Sequence, residues 1–381
     1  KMNLNVMIYN ENDLKNQQLQ QNLNSDNIDV LSQAGDDLDL MQSSSIIEAE
    51  FDENRILYKK TIDNNLEYYE FSNDPNEQLY SIKFSYVGEN KGDYALVNTN
   101  AISNIYEFIP QISGDKQGDY EPVLNLIAPE KIQLAIINGD YRISENSEIK
   151  FELANSNSDK NLFSTINDDD NTGLATKIEI KNSLLRNDNF EIINKIEYKH
   201  INKDFRSIEN NYNTEFLRDW NLEENIFGNQ QLIHSGFSLD HPKTGSLQYG
   251  FEHLNYQGKY NGNRHLLATD LRFENLYLKS TVSALQNAAI QNSGNFIRFH
   301  SILKYEFSKG WAAIELDAEK NKEKQSETQL LSLRSQAMRN QSVFVGIGNK
   351  EKQFAELGFS TQSNDSVVDN RLQRVNQSNT F

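Results

Sequence analysis

The segment Asp168-Asp169-Asp170-Asn171-Thr172-Gly173 carries the best ligand pattern in the chain. Carboxylates at alternating positions ahead of a glycine can wrap hard oxygen donors around one Ca²⁺, which makes Asp168, Asp170 and Thr172 the candidate metal ligands. Glu179 falls at the twelfth position of such a loop. Two features oppose a helix-loop-helix site. Its fifth position is Thr172, and the residues that follow alternate as a strand, which sends Glu179 along a sheet and away from the loop. The competing reading is an acidic, solvated turn in front of a strand.

Other constellations carry less. The histidines His200, His234, His241, His253, His265 and His300 include no i,i+4 helical pair and no HExxH, so they read as strand-surface residues rather than zinc ligands. No nucleophile elbow, Walker loop or GxGxxG occurs, and Gly346-Ile347-Gly348 reads as a bulge or small-residue packing site inside a strand. Asp93 and Asp119 stand in two Gly-Asp-Tyr phrases, where the carboxylate closes a turn on backbone amides and the tyrosine enters a strand. No catalytic residues and no organic cofactor are expected. The aromatic residues Tyr249, Phe251, Tyr256, Tyr260, Phe273, Tyr277, Phe299, Tyr305, Phe307 and Trp311 fit a membrane-interface girdle, a sandwich core or a sugar-stacking strip.

The elements that would position these residues are strands. Residues 1–50 are rich in Asn, Gln, Asp and Ser and read as extended linker, with one short helix opening at Ser25 and closing at Gly35. Residues 51–130 alternate in short segments, such as Tyr80, Ile82, Phe84 and Tyr86, between Gly- and Asp-rich turns, which predicts a small β-sandwich-like domain. From 131 to 381 the segments lengthen and pair as antiparallel hairpins across short turns, among them Arg186-Asn187-Asp188-Asn189, His241-Pro242-Lys243-Thr244-Gly245, Glu274-Asn275, Ser308-Lys309-Gly310 and Asn349-Lys350-Glu351-Lys352. Asn202 to Asn229, Gln286 to Asn295 and Glu319 to Gln341 read as long polar connections. Tight turns on one side, long loops on the other and about twelve strands of roughly ten residues form the pattern of an outer-membrane barrel, or part of one. A soluble sandwich with one wet face is the alternative.

Composition narrows the partners. A formal net charge of -18, from 55 acidic and 37 basic residues, argues against a phosphate-neutralising surface for nucleic acid. Hydrophobic residues make up 37% of the chain, so each element must concentrate them on one face. Cysteine is absent, which excludes disulfides and thiolate metal sites. No apolar run reaches the length of a transmembrane helix.

The phrases Tyr86-Val87-Gly88, Gly92-Asp93-Tyr94, Gln117-Gly118-Asp119-Tyr120-Glu121-Pro122-Val123, Asp159-Lys160-Asn161-Leu162-Phe163-Ser164 and Glu215-Phe216-Leu217-Arg218-Asp219-Trp220 resemble those of large outer-membrane and surface β-proteins of Bacteroidetes-type bacteria. The resemblance covers about a third of the chain in patches and implies an envelope location and a longer parent chain, but transfers no catalytic residue. The polar ending Asn376 to Phe381 agrees with a truncated chain. The expectation is an all-β, non-enzymatic envelope protein at the outer membrane or cell surface, in contact with lipid and envelope proteins, with a structural, transport-associated or surface-display role. Its rival is a secreted β-protein that binds glycan or a protein partner through long loops.

Overall fold

The computed structural model describes residues 1–15, 21–63, 66–100, 103–209, 212–222, 226–349 and 353–381. The chain is all-β and divides into two compact units, one of residues 1–9, 134–157 and 172–381, the other of residues 10–133 and 158–171. No helix among the described residues is long and apolar enough to cross a membrane, which says nothing of strands.

The larger unit is organised by a fourteen-stranded antiparallel sheet. Its first strand is β1 (Met2–Asn12), in a segment the composition presents as linker. Ten short strands of the other unit intervene in the chain: β2 (Gln42–Ser44), β3 (Ile47–Ala49), β4 (Tyr58–Asp63), β5 (Leu66–Phe71), β6 (Leu79–Ser81), β7 (Ser85–Tyr86), β8 (Tyr94–Asn100), β9 (Ser103–Phe108), β10 (Tyr120–Glu121) and β11 (Val123–Asn125). The large sheet resumes with β12 (Lys131–Arg142), β13 (Ser147–Asp159), β14 (Thr172–Arg186), β15 (Glu191–Ile201), β16 (Gln230–His241), β17 (Gly245–Tyr256) and β18 (Tyr260–Phe273). It finishes with β19 (Leu276–Ala289), β20 (Asn292–Phe307), β21 (Gly310–Gln325), β22 (Gln336–Asn349), β23 (Gln353–Val368) and β24 (Arg371–Thr380). Neighbours in the sheet follow the chain, β1-β12-β13 and onward to β24, so every pairing after β12 is a hairpin and β1 and β24 are the edges.

Strands run longer than their apolar alternation. Gln286 to Asn295 is a continuous ladder broken by the two-residue turn Ile290-Gln291, and the connection expected from Glu319 to Gln341 shrinks to residues 326–335. The polar ending is also a strand, β24, paired with β23 across a register shift at Asn364/Asp365. The reason is common to all three. Past the apolar band both faces are polar, so the period-2 signal vanishes while the backbone ladder continues. Residues 350–352 of the turn expected after Ile347 lie outside the described residues.

Register divides the side chains cleanly, because residues paired across strands share a face. One row on one face reads Leu271, Leu278, Leu303, Ile314, Val343 and Phe359 from β18 to β23. The adjacent row, one residue on and therefore on the other face, reads Asp270, Lys279, Ile302, Glu315, Ser342 and Ser360. Apolar residues of the first face stay exposed, up to 84% for Leu357. The charged face instead holds the unit's buried cluster, Trp220, Leu222, Leu232, Leu254, Tyr260, Leu285 and Phe296.

In the other unit, α1 spans Ser25–Ala34: the Asn24 side chain accepts from the Asn27 amide, and Gly35 takes a left-handed φ of 63° at the C-cap, the conformation glycine adopts without strain. Leu31, Ala34, Met41 and Leu126 pack around it. Two four-stranded sheets, β7-β10-β8-β9 and β3-β6-β4-β5, are joined by aromatic side chains: the Tyr106 amide donates to the Tyr58 hydroxyl, the Tyr69 amide donates to the Tyr94 hydroxyl, and Phe84 contacts both rings.

Candidate functional site

The connection between β15 and β16 is residues 202–229, of which residues 212–222 lie on the charged face of the large sheet. Within it Phe216–Asp219 forms one helical turn, α2, closed by the Trp220 amide donating to the Phe216 carbonyl at 3.1 Å and stopped by Asn221, whose φ of 50° is left-handed. Trp220 is 2% exposed and packs on Leu254, Tyr260 and Phe296, and its main-chain carbonyl accepts the Tyr260 hydroxyl. The segment therefore lies on the sheet face, with its indole buried.

Charge pairing reinforces this. Asp219 is bound by two guanidinium groups, Arg264 at 3.0 Å and Arg298 at closer range. Arg218 reaches Glu319 at 2.6 Å, Asn221 donates to Glu323 at 2.9 Å, and Arg264 also sits 5.8 Å from the centre of the Trp220 ring. The loop carries charges that match the sheet, and Glu319 holds the Arg218 guanidinium above its ordinary pKa.

Beside α2 the same face lines a cavity of about 980 Å³, bordered by Lys150, Lys195, His234, Arg264, Arg298 and His300 among others. Strands from β13 to β23 all contribute, so the sheet curls around this space. One wall is a cross-strand ladder in which Lys195 bridges Glu179 at 3.0 Å and Glu197 at 3.3 Å, with Lys199 on Glu197 at 3.0 Å. On another wall His300 Nδ1 lies 2.5 Å from Asp317 Oδ1, and ligand atoms of His300, Glu315 and Asp317 all fall within 4.8 Å of one another.

All six histidines lie in strands, and His300 pairs across strands with Asp317, a juxtaposition that helical or HExxH spacing does not encode. A usable signal was present: across the turn Ser308-Lys309, positions 300 and 317 are mirror partners of Phe307 and Gly310. The loop candidate lies elsewhere. Asp168 and Asp170 are exposed on a single 3-10 turn, Asp168 accepts from the Asn171 side chain at 3.1 Å, and Thr172 opens β14. Glu179 is carried along β14 to its salt bridge with Lys195. Near that turn burial pushes the Asp36 carboxyl up, Lys160 draws it down, and Asp170, Asp159 and Asp168 add to the rise. Asp119 accepts the Asn90 amide at 2.9 Å, a turn closure, whereas Asp93 takes side chains instead, Gln111 at 2.9 Å and Lys116 at 3.3 Å.

The aromatic set splits by face. Tyr249, Phe251, Phe273, Phe299, Tyr305 and Phe307 stand on the apolar face, while Tyr256, Tyr260, Tyr277 and Trp311 stand on the charged one. Comparison with family models, with curated proteins and with solved structures finds no match to this chain.

Proposed function

We propose that the larger unit is a β-barrel of a bacterial outer membrane whose charge-lined interior, narrowed by residues 212–222, serves the passage or docking of polar solutes without covalent chemistry. The observation that carries this reading is the exposed apolar face. On β20 outward residues from Ile297 to Phe307 span ten rises of about 3.3 Å, which at a tilt of about 40° gives a band about 25 Å tall, the height of a barrel's lipid-facing belt. A water-soluble chain rarely leaves such a contiguous apolar surface uncovered. Polar residues of the same face, such as His253, Asn255, Asn263 and Lys320, gather toward the strand ends opposite the Glu274-Asn275 and Ser308-Lys309 turns, where an interface with water would begin. The band also carries polar residues, among them Asn194, His265, Ser280 and Ser301; the Asn194 amide donates to the Gly236 carbonyl at 3.0 Å and His265 is hydrogen-bonded to the Tyr249 hydroxyl at 2.8 Å.

Strand number agrees. With fourteen strands β1 and β24 run antiparallel, and in lipid their free edge groups must be paired, which barrel closure achieves. Eight strands fill a barrel with side chains and sixteen or more leave an open channel, so an interior between those limits, partly filled by a loop, fits fourteen. The test is fractionation of the full chain: retention in the outer membrane after carbonate extraction, with a gel mobility that shifts on boiling, supports the barrel. Release as a soluble monomer overturns it and directs attention to glycan or protein ligands of an exposed sheet.

A further inference from the structure

We infer that His300, Glu315 and Asp317 form a binding site for one divalent transition-metal ion of the Zn²⁺ type. The site is built on a single hairpin. His300 and Asp317 are directly paired across β20 and β21, and Glu315 precedes Asp317 by two residues, so all three side chains leave the same face. Strand pairing thus fixes three donors side by side before any ion arrives, and their ligand atoms already fall within 4.8 Å of one another. A tetrahedral zinc with ligands at about 2.1 Å needs donors about 3.4 Å apart, a contraction that side-chain rotation supplies.

Of the carboxylates that border the cavity, Glu179 and Glu319 are paired with a cation and, among the described residues, Asp317 is not. Glu179 and Glu197 are held by Lys195, Glu252 by Arg264, Glu319 by Arg218, and Asp219 by Arg264 and Arg298. Among the described residues Glu315 and Asp317 form no ion pair with Lys or Arg, and Asp317 is hydrogen-bonded to His300. The cations of β20 are engaged elsewhere, Arg298 by Asp219 and Glu215 and Lys304 by Glu306. Two carboxylates and one imidazole without a fixed cation are a donor set lacking its positive charge.

The donor types choose the ion. Imidazole disfavours Ca²⁺ and Mg²⁺, which take oxygen ligands, and the absence of thiolate leaves a nitrogen-oxygen set suited to Zn²⁺ or its first-row neighbours. Three protein ligands leave at least one coordination position for water or a solute donor, and His300 and Asp317 border the cavity.

The inference uses one hairpin and does not depend on the membrane reading, so it is tested on the purified full chain in whichever form that chain is obtained. Co²⁺ is the probe, followed by its visible d–d bands, with Zn²⁺ competing. One equivalent of Co²⁺ giving intense tetrahedral-type bands, displaced by Zn²⁺ and not by Ca²⁺, is the expected result. Affinity should fall at least tenfold in His300→Ala and in Glu315→Gln and stay unchanged in His234→Ala, with far-UV circular dichroism equal in all. Equal binding by wild type, His300→Ala and Glu315→Gln, or displacement by Ca²⁺ as readily as by Zn²⁺, overturns the site.

Discussion

The hydroxyl of Tyr260, at the start of β18, donates its hydrogen to the main-chain carbonyl of Trp220, forty residues earlier in the chain. This bond ties the connection between β15 and β16 to the charged face of the sheet. Replacing Tyr260 by Phe keeps the ring and strands the carbonyl, at a cost of about 1–3 kcal/mol. Limited proteolysis within residues 202–229 should accelerate about tenfold or more. An unchanged cleavage rate would mean that the ion pairs alone hold the segment.

Trp220 supplies the apolar half of the same anchor. Trp220→Ala leaves a void among Leu254, Tyr260 and Phe296 and should cost about 3–5 kcal/mol of local stability. Amide hydrogen exchange of 212–222 is the readout, because the fourteen-stranded ladder need not unfold with the loop. Protection equal to wild type would refute the anchor.

Asp219 neutralises two arginines at once. In Asp219→Asn the largely buried Arg264 keeps only Glu252 at 3.5 Å and Arg298 only Glu215 at 4.0 Å, so the cost stays below the ~3–5 kcal/mol of a buried charge left wholly unpaired. If the sheet closes as a pore, single-channel recordings should show higher conductance and a shift toward anions, since freed guanidinium groups would then line the interior. Unaltered selectivity would count against the loop as the constriction.

The two faces should tolerate charge differently. If the apolar band faces lipid, Leu303→Arg places a cation in its middle, worth about 2–4 kcal/mol against insertion at a bilayer midplane, whereas Gln248→Arg stands on the charged face. Heat-modifiable, membrane-retained protein should drop for the first and persist for the second. Equal behaviour would remove the sidedness argument.

In the smaller unit burial pushes the Tyr94 hydroxyl up to about 12, partly offset by the hydrogen bond from the Tyr69 amide. A tyrosine raised from its ordinary value of about 10 favours the folded state while neutral. Its contribution is complete below pH 10 and is lost as pH rises through 12, on the order of 2–3 kcal/mol in all. Alkaline unfolding of this unit, followed by tyrosinate absorbance and circular dichroism, should coincide in that window. Tyr94→Phe should flatten the dependence, and an identical pH profile would refute the assignment.

Local pattern alone announced much of this molecule. Alternation at Ile233 to Leu239 or Ile297 to Phe307 needs nothing beyond the period of a strand, and Ser308-Lys309-Gly310 needs nothing beyond turn chemistry, so the hairpins were legible. So was the α1 helix, from Asn24 to Gly35, because caps are made by residues a few positions apart. Gly346 in the Gly-Ile-Gly phrase was readable as a small-residue site, although the reason is tertiary: a Cβ there would collide with the Trp311 ring across the strand pair. Tertiary structure decided what depends on distant partners. β24 is largely polar and becomes a strand on the free edge of β23, whereas β1, whose Met2, Leu4, Val6 and Ile8 alternate with Asn3 and Asn5, carries the period of a strand but finds its partner, β12, only far along the chain. Residues 202–229 have the composition of a solvated loop, and Trp220, Asp219 and Arg218 find their sites only when β18, β20 and β21 stand side by side. His300, Glu315 and Asp317 are separated by up to seventeen positions, and the hairpin register, which a one-residue slip would turn inside out, alone gathers them on one face.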